Sequence, residues 1–359
     1  MTFSIPAGEG KRPPSAPSVC VLILNYNGWK DTIECLESLF RMRYPRFQVV
    51  VCDNASADGS VERIEEWARG ALVAEREDPA LPEPGGAPVP KPVPCVVLDR
   101  EEAERGGGGT SAPLVVVRNG VNGGFAAGNN VGLRYVLARG DAEYVWLLNP
   151  DTVVHADALA ALVHAAEADP RLAMTGGRLM FYHHPDVIQV VGGGTLSRWK
   201  GTTDLYGRFA PGDTEPVPGP MDYIHGACIL VRREVLRSVG LMDERYFLYS
   251  EEVDWCLRAL GAGWRLGYAA ECRVWHKEGA SMTEVRPTQE YQTIRSRLIL
   301  MRSHFPLRFP AIVAFNLVGN VIPKLRRRQP EGLRLVLSVF HDYFRRNPPP
   351  ATRRGGRGA

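Results

Sequence analysis

The chain has no cysteine pair at redox or metal spacing, no long apolar run and little net charge. Its seven cysteines are Cys20, Cys35, Cys52, Cys95, Cys228, Cys256 and Cys272. None forms a C-x-x-C pair, which argues against a zinc ribbon or thioredoxin-type site. An odd number, scattered through apolar runs, reads as buried thiols in a reducing compartment rather than a disulfide framework. No apolar stretch reaches the roughly 20 residues that span a bilayer. The longest candidate, Phe309 to Pro323, is too short and carries Asn316 and Asn320. The first 17 residues are polar and Pro-rich, so no secretory leader is expected and this stretch reads as disordered. Neither a G-x-G-x-x-G turn nor a Gly-Lys-Ser/Thr phosphate loop is found, which disfavours a nicotinamide-dependent dehydrogenase and a P-loop enzyme.

What remains is a chain of 359 residues, 45% hydrophobic, enough for one large or two ordinary domains. The net charge of +3 is unevenly spread. From Arg286 onward 15 Lys/Arg face 3 Asp/Glu, making that stretch +12 and the remainder −9. Such a basic segment suits an anionic surface. No nucleic-acid-binding motif accompanies it, so nucleic acid is the poorer partner. Basic residues around Leu298–Met301 and Ala311–Val321 point instead to a membrane interface, the alternative being helices packed on the core with Arg outward.

The periodicity predicts an α/β fold. Val19–Leu24 is a continuous apolar run, typical of a buried parallel strand. Trp29–Phe40 has Ile33, Leu36, Leu39 and Phe40 at helical spacing. Phe47–Cys52 predicts the second strand and Val61–Ala68 the second helix. Residues 70–112, rich in Pro and Gly, read as a mobile surface insertion holding a short strand at Cys95–Leu98. The rhythm resumes with Leu114–Val117, a helix near Gly128–Leu137, a strand at Tyr144–Leu148 and a helix at Ala156–Ala168. Glycines and prolines predict irregular structure over 176–220. Ile224–Val231 reads as a strand, Arg233–Val239 and Glu252–Leu260 as helices, and Trp264–Tyr268 and Cys272–Trp275 as short strands. Residues 288–304 and 331–345 read as helices. The expected organisation is a main domain over 18–285, a basic helical extension over 286–346 and a disordered tail over 347–359.

Polar clusters sit at the predicted strand ends, where open α/β sheets bind ligands. Asn25-Tyr26-Asn27 follows the first strand, and Asp53 with Asp58 the second. Asp58 serves equally well as a helix cap. Asn122-Gly123-Gly124-Phe125-Ala126-Ala127-Gly128-Asn129-Asn130 places small residues before a helix, which lets the backbone approach a sugar or phosphate. A plain tight turn explains it equally well. Asn149-Pro150-Asp151 presents a carboxylate where Pro150 ends the strand. Glu251, Glu252 and Asp254 crowd a helix start, where they suit the helix dipole or, beside a cleft, supply a base of raised pKa. His276 follows a short strand and is either structural or a second metal ligand with Asp151, a donor set that suits Mn²⁺ or Mg²⁺.

Taken in order, these pieces resemble the family 2 glycosyltransferases of GT-A fold, over about residues 18–280. Gly226-Ala227-Cys228 and Trp275-His276 complete the pattern, and the rhamnosyltransferase-like branch is the nearest in look. The resemblance implies a Rossmann-like nucleotide-binding sheet with helices on both faces and a helical C-terminal extension. It implies that Tyr26, Asn27 and Asp53 hold base and ribose. Asn25, Asn122, Gly124, Phe125, Asn129, Asn149, Gly226 and Ala227 would complete the nucleotide-sugar site. Asp151 stands for the last Asp of the family's DxD motif and His276 completes the metal site. Glu252 matches the catalytic base, although this chain has Glu-Glu where the family has Glu-Asp or Asp-Asp, so Glu251 and Asp254 stay open as bases. His225 stands where a smaller polar residue is common. No Gln-x-x-Arg-Trp motif is present, since Arg198-Trp199 lacks the Gln, so transfer of a single residue is expected. The implied activity is inverting transfer from a nucleoside-diphosphate sugar, dTDP-rhamnose before a UDP-sugar, to a glycan or lipid-linked acceptor. The implied setting is cell-wall or surface polysaccharide synthesis, in the cytoplasm or at the membrane's cytoplasmic face. The competing reading is a non-catalytic sugar-nucleotide or glycan binder.

Overall fold

The computed structural model describes residues 16–83, 85–278 and 286–346. The predicted opening is present as β1 (Val19–Asn25), α1 (Trp29–Leu39), β2 (Phe47–Asp53) and α2 (Ser60–Arg69). Next come β3 (Cys95–Asp99), α3 (Arg100–Glu104), β4 (Leu114–Arg118), α4 (Gly124–Arg139), β5 (Tyr144–Leu148), β6 (Thr152–Val154) and α5 (Ala158–Ala168). The strand expected at Cys95–Leu98 within 70–112 is present as β3. β3 is the edge strand of the main sheet, paired parallel to β4, because Val96, Val97 and Leu98 form a usable strand despite the flanking prolines. The stretch before it also packs: Leu81 and Val93 are buried.

The second half departs further from expectation. Residues 176–220 hold β7 (Leu172–Phe181), β8 (His184–Val191), β9 (Gly193–Leu196) and β10 (Thr203–Leu205). Inside β7 glycine marks close packing, while Gly192, Gly201 and Gly207 take positive φ in the connections. A Cβ on Gly176 would lie 2.6 Å from the Gly192 carbonyl, and one on Gly177 2.5 Å from Cys272 Sγ. The predicted Ile224–Val231 strand is two strands, β11 (Tyr223–Ile224) and β12 (Cys228–Arg232). The break at His225-Gly226-Ala227 opens onto the site described below. After α6 (Arg233–Ser238) and α7 (Glu251–Gly261), one bulged strand, β13 (Arg265–His276), replaces the two short ones expected.

The main sheet runs β3-β4-β2-β1-β5-β12-β7-β13-β6, with β8 added to β7. Strands β3, β4, β2, β1 and β5 are parallel, and β12 runs antiparallel between β5 and β7. The chain steps outward from β1 to β2 on one side and returns to β5 on the other. That reversal makes a crevice at the carboxyl ends of β1 and β5, the usual ligand position in such sheets.

The C-terminal helices are α8 (Arg286–His304), α9 (Phe309–Arg326) and α10 (Pro330–Arg346). They share the main core: Leu298, Met301, Ile312 and Val339 cluster with Met174, Val253 and Trp255. Each such fully buried side chain contributes about 1.5–3 kcal/mol. On α9, however, Phe315, Val318, Ile322 and Leu325 are exposed, at helical spacing along one stripe. No helix is long and apolar enough to cross a membrane among the described residues. Six cysteines are buried, Cys95 is half-buried and all seven are free. The expected disorder of 1–17 and 347–359 falls mostly outside the described residues. Ala16 and Pro17 are tied down, their carbonyls accepting from Arg46 Nη1 and Tyr44 Oη at 2.8 and 2.6 Å.

Candidate active site

A cleft of about 530 Å³ opens at the carboxyl ends of β1 and β5, within the usual range for small-ligand sites. One wall comes from strand exits. Asn25 is buried at the end of β1 and donates Nδ2 to Asp53 Oδ1 at 2.7 Å and Ser56 Oγ at 3.1 Å. Asp53 also accepts from Ser56 N at 3.0 Å. Asn27 accepts from Ala57 N at 2.7 Å. These bonds lock the two exit loops together. Asp58 accepts from Ser60 N at 3.1 Å in the loop before α2, whose N-cap is Gly59. Tyr26 lines the cleft, as do Asn54 and Asn122. Asn54 Nδ2 donates to Asn122 Oδ1 at 2.9 Å and to the Gly124 carbonyl at 3.1 Å.

Gly124, with φ of 84°, starts α4 where only glycine fits: a Cβ would lie 2.2 Å from the Phe247 carbonyl. Phe125 N donates to that same carbonyl at 2.7 Å. Gly124 and Phe125 thus face the cleft, whereas Asn129 turns inward and donates to the Phe125 carbonyl at 3.0 Å.

The floor is Asn149, Asp151 and His276. Asp151 and His276 are both buried, and His276 Nε2 lies 3.3 Å from Asp151 Oδ1. His276 Nδ1 meets Gln189 Oε1 at 2.9 Å. Nε2 faces the carboxylate and Asn149 Nδ2, 3.3 Å away. Burial raises the Asp151 pKa, but the His276 charge and hydrogen bond, a backbone N–H and Lys277 outweigh it and leave the carboxyl below its usual range. An ionised carboxylate and an imidazole nitrogen side by side fit a divalent cation. His225 shares this floor, its ring centroid 6.0 Å from that of His276. Burial and the charges of His276 and Arg208 push its pKa down to about 3 against Asp151. It accepts from Ala227 N through Nδ1 at 3.3 Å, leaving Nε2–H as a neutral donor.

Behind the floor, Lys277 Nζ contacts Asp31, Glu34 and Glu77 at 2.6, 2.9 and 2.6 Å. Those three carboxylates lie close enough together to hold a metal, but the ammonium already sits among them. This hub ties the end of β13 to α1.

The opposite wall is the start of α7. Tyr249 and Ser250 have φ of 70° and 67°, unusual for side-chain-bearing residues. They aim Glu251 and Glu252 into the cleft. One oxygen of each, Oε2, is buried with no hydrogen-bond partner. Burial lifts the Glu252 pKa to about 7, against the pull of backbone N–H groups. Glu251 is raised well above its ordinary value by burial and then by Glu252. Asp254, the third candidate base, does not join them. It is bound to Arg258 Nε at 2.7 Å and His304 Nε2 at 2.8 Å, because it sits on the side of α7 facing the C-terminal helices. Burial raises its pKa, but His304 and Arg258 outweigh that and leave it lowered.

The structure therefore brings Tyr26, Asn122, Gly124, Phe125, Asn149, Asp151, Gly226, Ala227, Glu251, Glu252 and His276 into one cleft. Asn25, Asn27, Asp53 and Asn129 support the wall without lining it. Sequence reasoning missed Asp31, Phe247 and Glu278, which also line the cleft. They lie in α1 and in loops without motif character; Tyr249, another lining residue, stands at the head of the acidic segment but was given no role.

A parallel sheet with an acid–imidazole pair facing two carboxylates, each with one buried oxygen lacking a partner, suits a group-transfer enzyme. Residues 100–290, more than half of the chain, match the family described as "Glycosyltransferase like family 2", and residues 20–78 match "Glycosyl transferase family 2". The protein belongs to the family 2 glycosyltransferases. Over 191 residues it is 26% identical to the low-salt glycan biosynthesis hexosyltransferase of Haloferax volcanii, covering 53% of this chain and 60% of that protein. It is 42% identical over 67 residues to the N-acetylglucosaminyl-diphospho-decaprenol L-rhamnosyltransferase of Mycobacterium tuberculosis, 19% of this chain and 22% of the relative. It is 24% identical over 201 residues to the dTDP-rhamnosyl transferase of Shigella flexneri, 52% and 63% of the two chains. Each match spans less than two thirds of the relative. Among solved structures, a Pyrobaculum calidifontis mannosyltransferase in complex with GDP-Man and Mn²⁺ superposes with a TM-score of 0.51 at 16% identity, covering 94% of this chain and 80% of that one. S. aureus TarS in complex with UDP-GlcNAc gives 0.50 at 15% identity, covering 92% and 82%. At this identity the likeness establishes the GT-A fold.

Proposed function

We propose that the protein transfers a single sugar, with inversion, from a nucleoside-diphosphate sugar to a glycan or lipid-linked acceptor in cell-wall or surface polysaccharide synthesis. One observation carries this reading: Asp151, His276 and Glu252, far apart in sequence, line the same cleft. Glu252 takes the proton of the acceptor hydroxyl as its oxygen bonds to the anomeric carbon, a contribution of about 10²–10⁴ in rate. The electron pair of the breaking carbon–oxygen bond leaves with the diphosphate on the opposite face. Asp151 and His276 would hold a divalent cation, Mn²⁺ or Mg²⁺, which supplies charge neutralisation for that leaving group. Neutral His225 is placed to donate to an oxygen above the same floor. Tyr26 and Asn122 flank the base and ribose, on a wall braced by Asn25, Asn27 and Asp53. The relatives' names favour dTDP-rhamnose as donor, with a UDP-sugar next.

The buried, unpartnered Oε2 of Glu251 and of Glu252 favours catalysis over mere binding, since a binding protein has no use for that cost. Glu252→Gln should lower transfer by about 10²–10⁴, and Asp151→Ala should abolish it. Wild-type turnover in both variants would end this assignment. A thermal-shift screen of dTDP, UDP and GDP with and without Mn²⁺ reads the donor's nucleotide, since ligand at 100 times its Kd stabilises by about 2.7 kcal/mol.

The exposed stripe on α9 supports a second reading, a peripheral contact with an anionic membrane on the cytoplasmic side. Phe315, Val318, Ile322 and Leu325 form an apolar strip, and Arg326, Arg327 and Arg328 are exposed at its end. Apolar side chains edged by guanidinium groups suit the headgroup boundary. Sedimentation with phosphatidylglycerol vesicles, lost in Ile322→Glu, is the expected result. Equal recovery of both proteins with the vesicles would remove the stripe from membrane binding.

A further inference from the structure

Next to the catalytic cleft lies a second cavity of about 490 Å³, between α8, α9 and the loop before α7. Tyr249 and Gln289 line both spaces, so the two share a wall. The cavity is mixed, with Thr293, Arg297 and Asn320 beside Ile294. Its carboxylate, Glu290, is taken by Lys324 Nζ at 2.7 Å.

Arg297 is the unusual group. Its side chain is held in place: a Cβ on Gly201 would lie 2.9 Å from Arg297 Cγ and 2.8 Å from Met301 Cγ. Its guanidinium is half-buried and donates Nη1 to Asn316 Oδ1, a neutral acceptor, at 3.0 Å. Among the described residues no carboxylate pairs with it. Burial acts alone on this group and pushes its pKa down. A guanidinium withdrawn from water without a counter-charge is costly, and an anion completing it removes that cost. Its planar fork matches two phosphate oxygens at once.

We propose that this cavity is the acceptor subsite and that Arg297 binds a phosphate group of the acceptor there. The inference rests on the reading that Glu252 marks the point of transfer. The sugar hydroxyl then reaches Glu252 past Tyr249 while the phosphate stays behind on the α8 side. The apolar stripe of α9 belongs to the same pair of helices, which suits an acceptor whose phosphate is carried on a lipid.

The test is binding of farnesyl diphosphate, farnesol and inorganic pyrophosphate to the full chain by calorimetry, in EDTA so that no cation is available at Asp151 and His276. Farnesyl diphosphate should bind the wild type, and Arg297→Met should weaken it at least tenfold. Arg297→Lys should recover part of the loss. Asn320→Leu, which narrows the same cavity, guards against a folding defect and should also weaken binding. Farnesyl diphosphate binding tighter than pyrophosphate identifies a lipid-borne phosphate; equal binding places the recognition in the phosphate alone. Unchanged farnesyl diphosphate binding in Arg297→Met, or farnesol binding as tightly as its diphosphate, overturns the proposal. Mn²⁺-dependent thermal stabilisation by nucleoside diphosphate should be the same in wild type and Arg297→Met, so the donor-site reading stands or falls separately.

Discussion

The two walls of the cleft are built on opposite terms. On the strand-exit wall the cleft-side polar side chains bond one another: Asn25 and Ser56 with Asp53, and Asn54 with Asn122. On the α7 wall, Glu251 and Glu252 each bury an oxygen with no partner, behind two residues of positive φ. A satisfied network is rigid and pre-shaped for a ligand. An unsatisfied one is costly and persists where chemistry uses it. The comparison teaches that binding and reaction are assigned to different walls. On the proposed function, the strand ends would hold the donor and the helix start would receive the acceptor's proton.

The sharpest way to break the comparison is to neutralise each side in turn. Glu252→Gln should lower turnover by about 10²–10⁴ with little effect on nucleotide binding. If donor binding falls as far as turnover, the division between the walls is wrong. The next largest effect is on the scaffold. Gly124→Ala places a methyl 2.2 Å from the Phe247 carbonyl at positive φ, and should cost about 2–4 kcal/mol in urea unfolding. Asp53→Ala removes the acceptor shared by Asn25 and Ser56 N. It should cost about 1–3 kcal/mol and weaken nucleotide binding more than the chemical step.

The acidity of Glu252 gives two smaller effects. Its base form is the ionised one and its pKa is about 7, so kcat/KM should rise with pH up to about 7 and then level off. A flat profile from pH 5 to 8 would take the base role away from it. The same raised pKa means that the fold favours the protonated acid. This contribution is present below the unfolded value and is lost as pH rises through about 7. Glu252→Gln removes the loss and should raise the Tm at pH 8 by roughly 2–6 °C. By contrast Asp254 is held ionised by its partners despite burial, so its stabilisation is lost as pH falls.

Much of this contrast was legible before any coordinates. Continuous apolar runs followed by Asn, Asp and Gly located β1, β2, β4 and β5 and the ligand edge they share. Three candidates in one acidic segment could not be separated in the same way. Glu252 and Asp254 are two positions apart, and on a helix that rotation sends one into the cleft and the other toward His304. The glycines of 176–220 misled for a related reason. Gly176 and Gly177 lie inside β7, where neighbouring strands approach too closely for a Cβ.

By itself the sequence determined the parallel sheet, the polar strand exits and the family, because each is written in residue type and short-range spacing. Tertiary structure alone decided which carboxylates face the cleft, how Lys277 gathers three acids behind Asp151, and why Arg297 has no counter-charge among the described residues. Those properties depend on burial and on neighbours tens to hundreds of residues away. Local pattern records neither, because desolvation and Coulomb interaction act through space rather than along the chain.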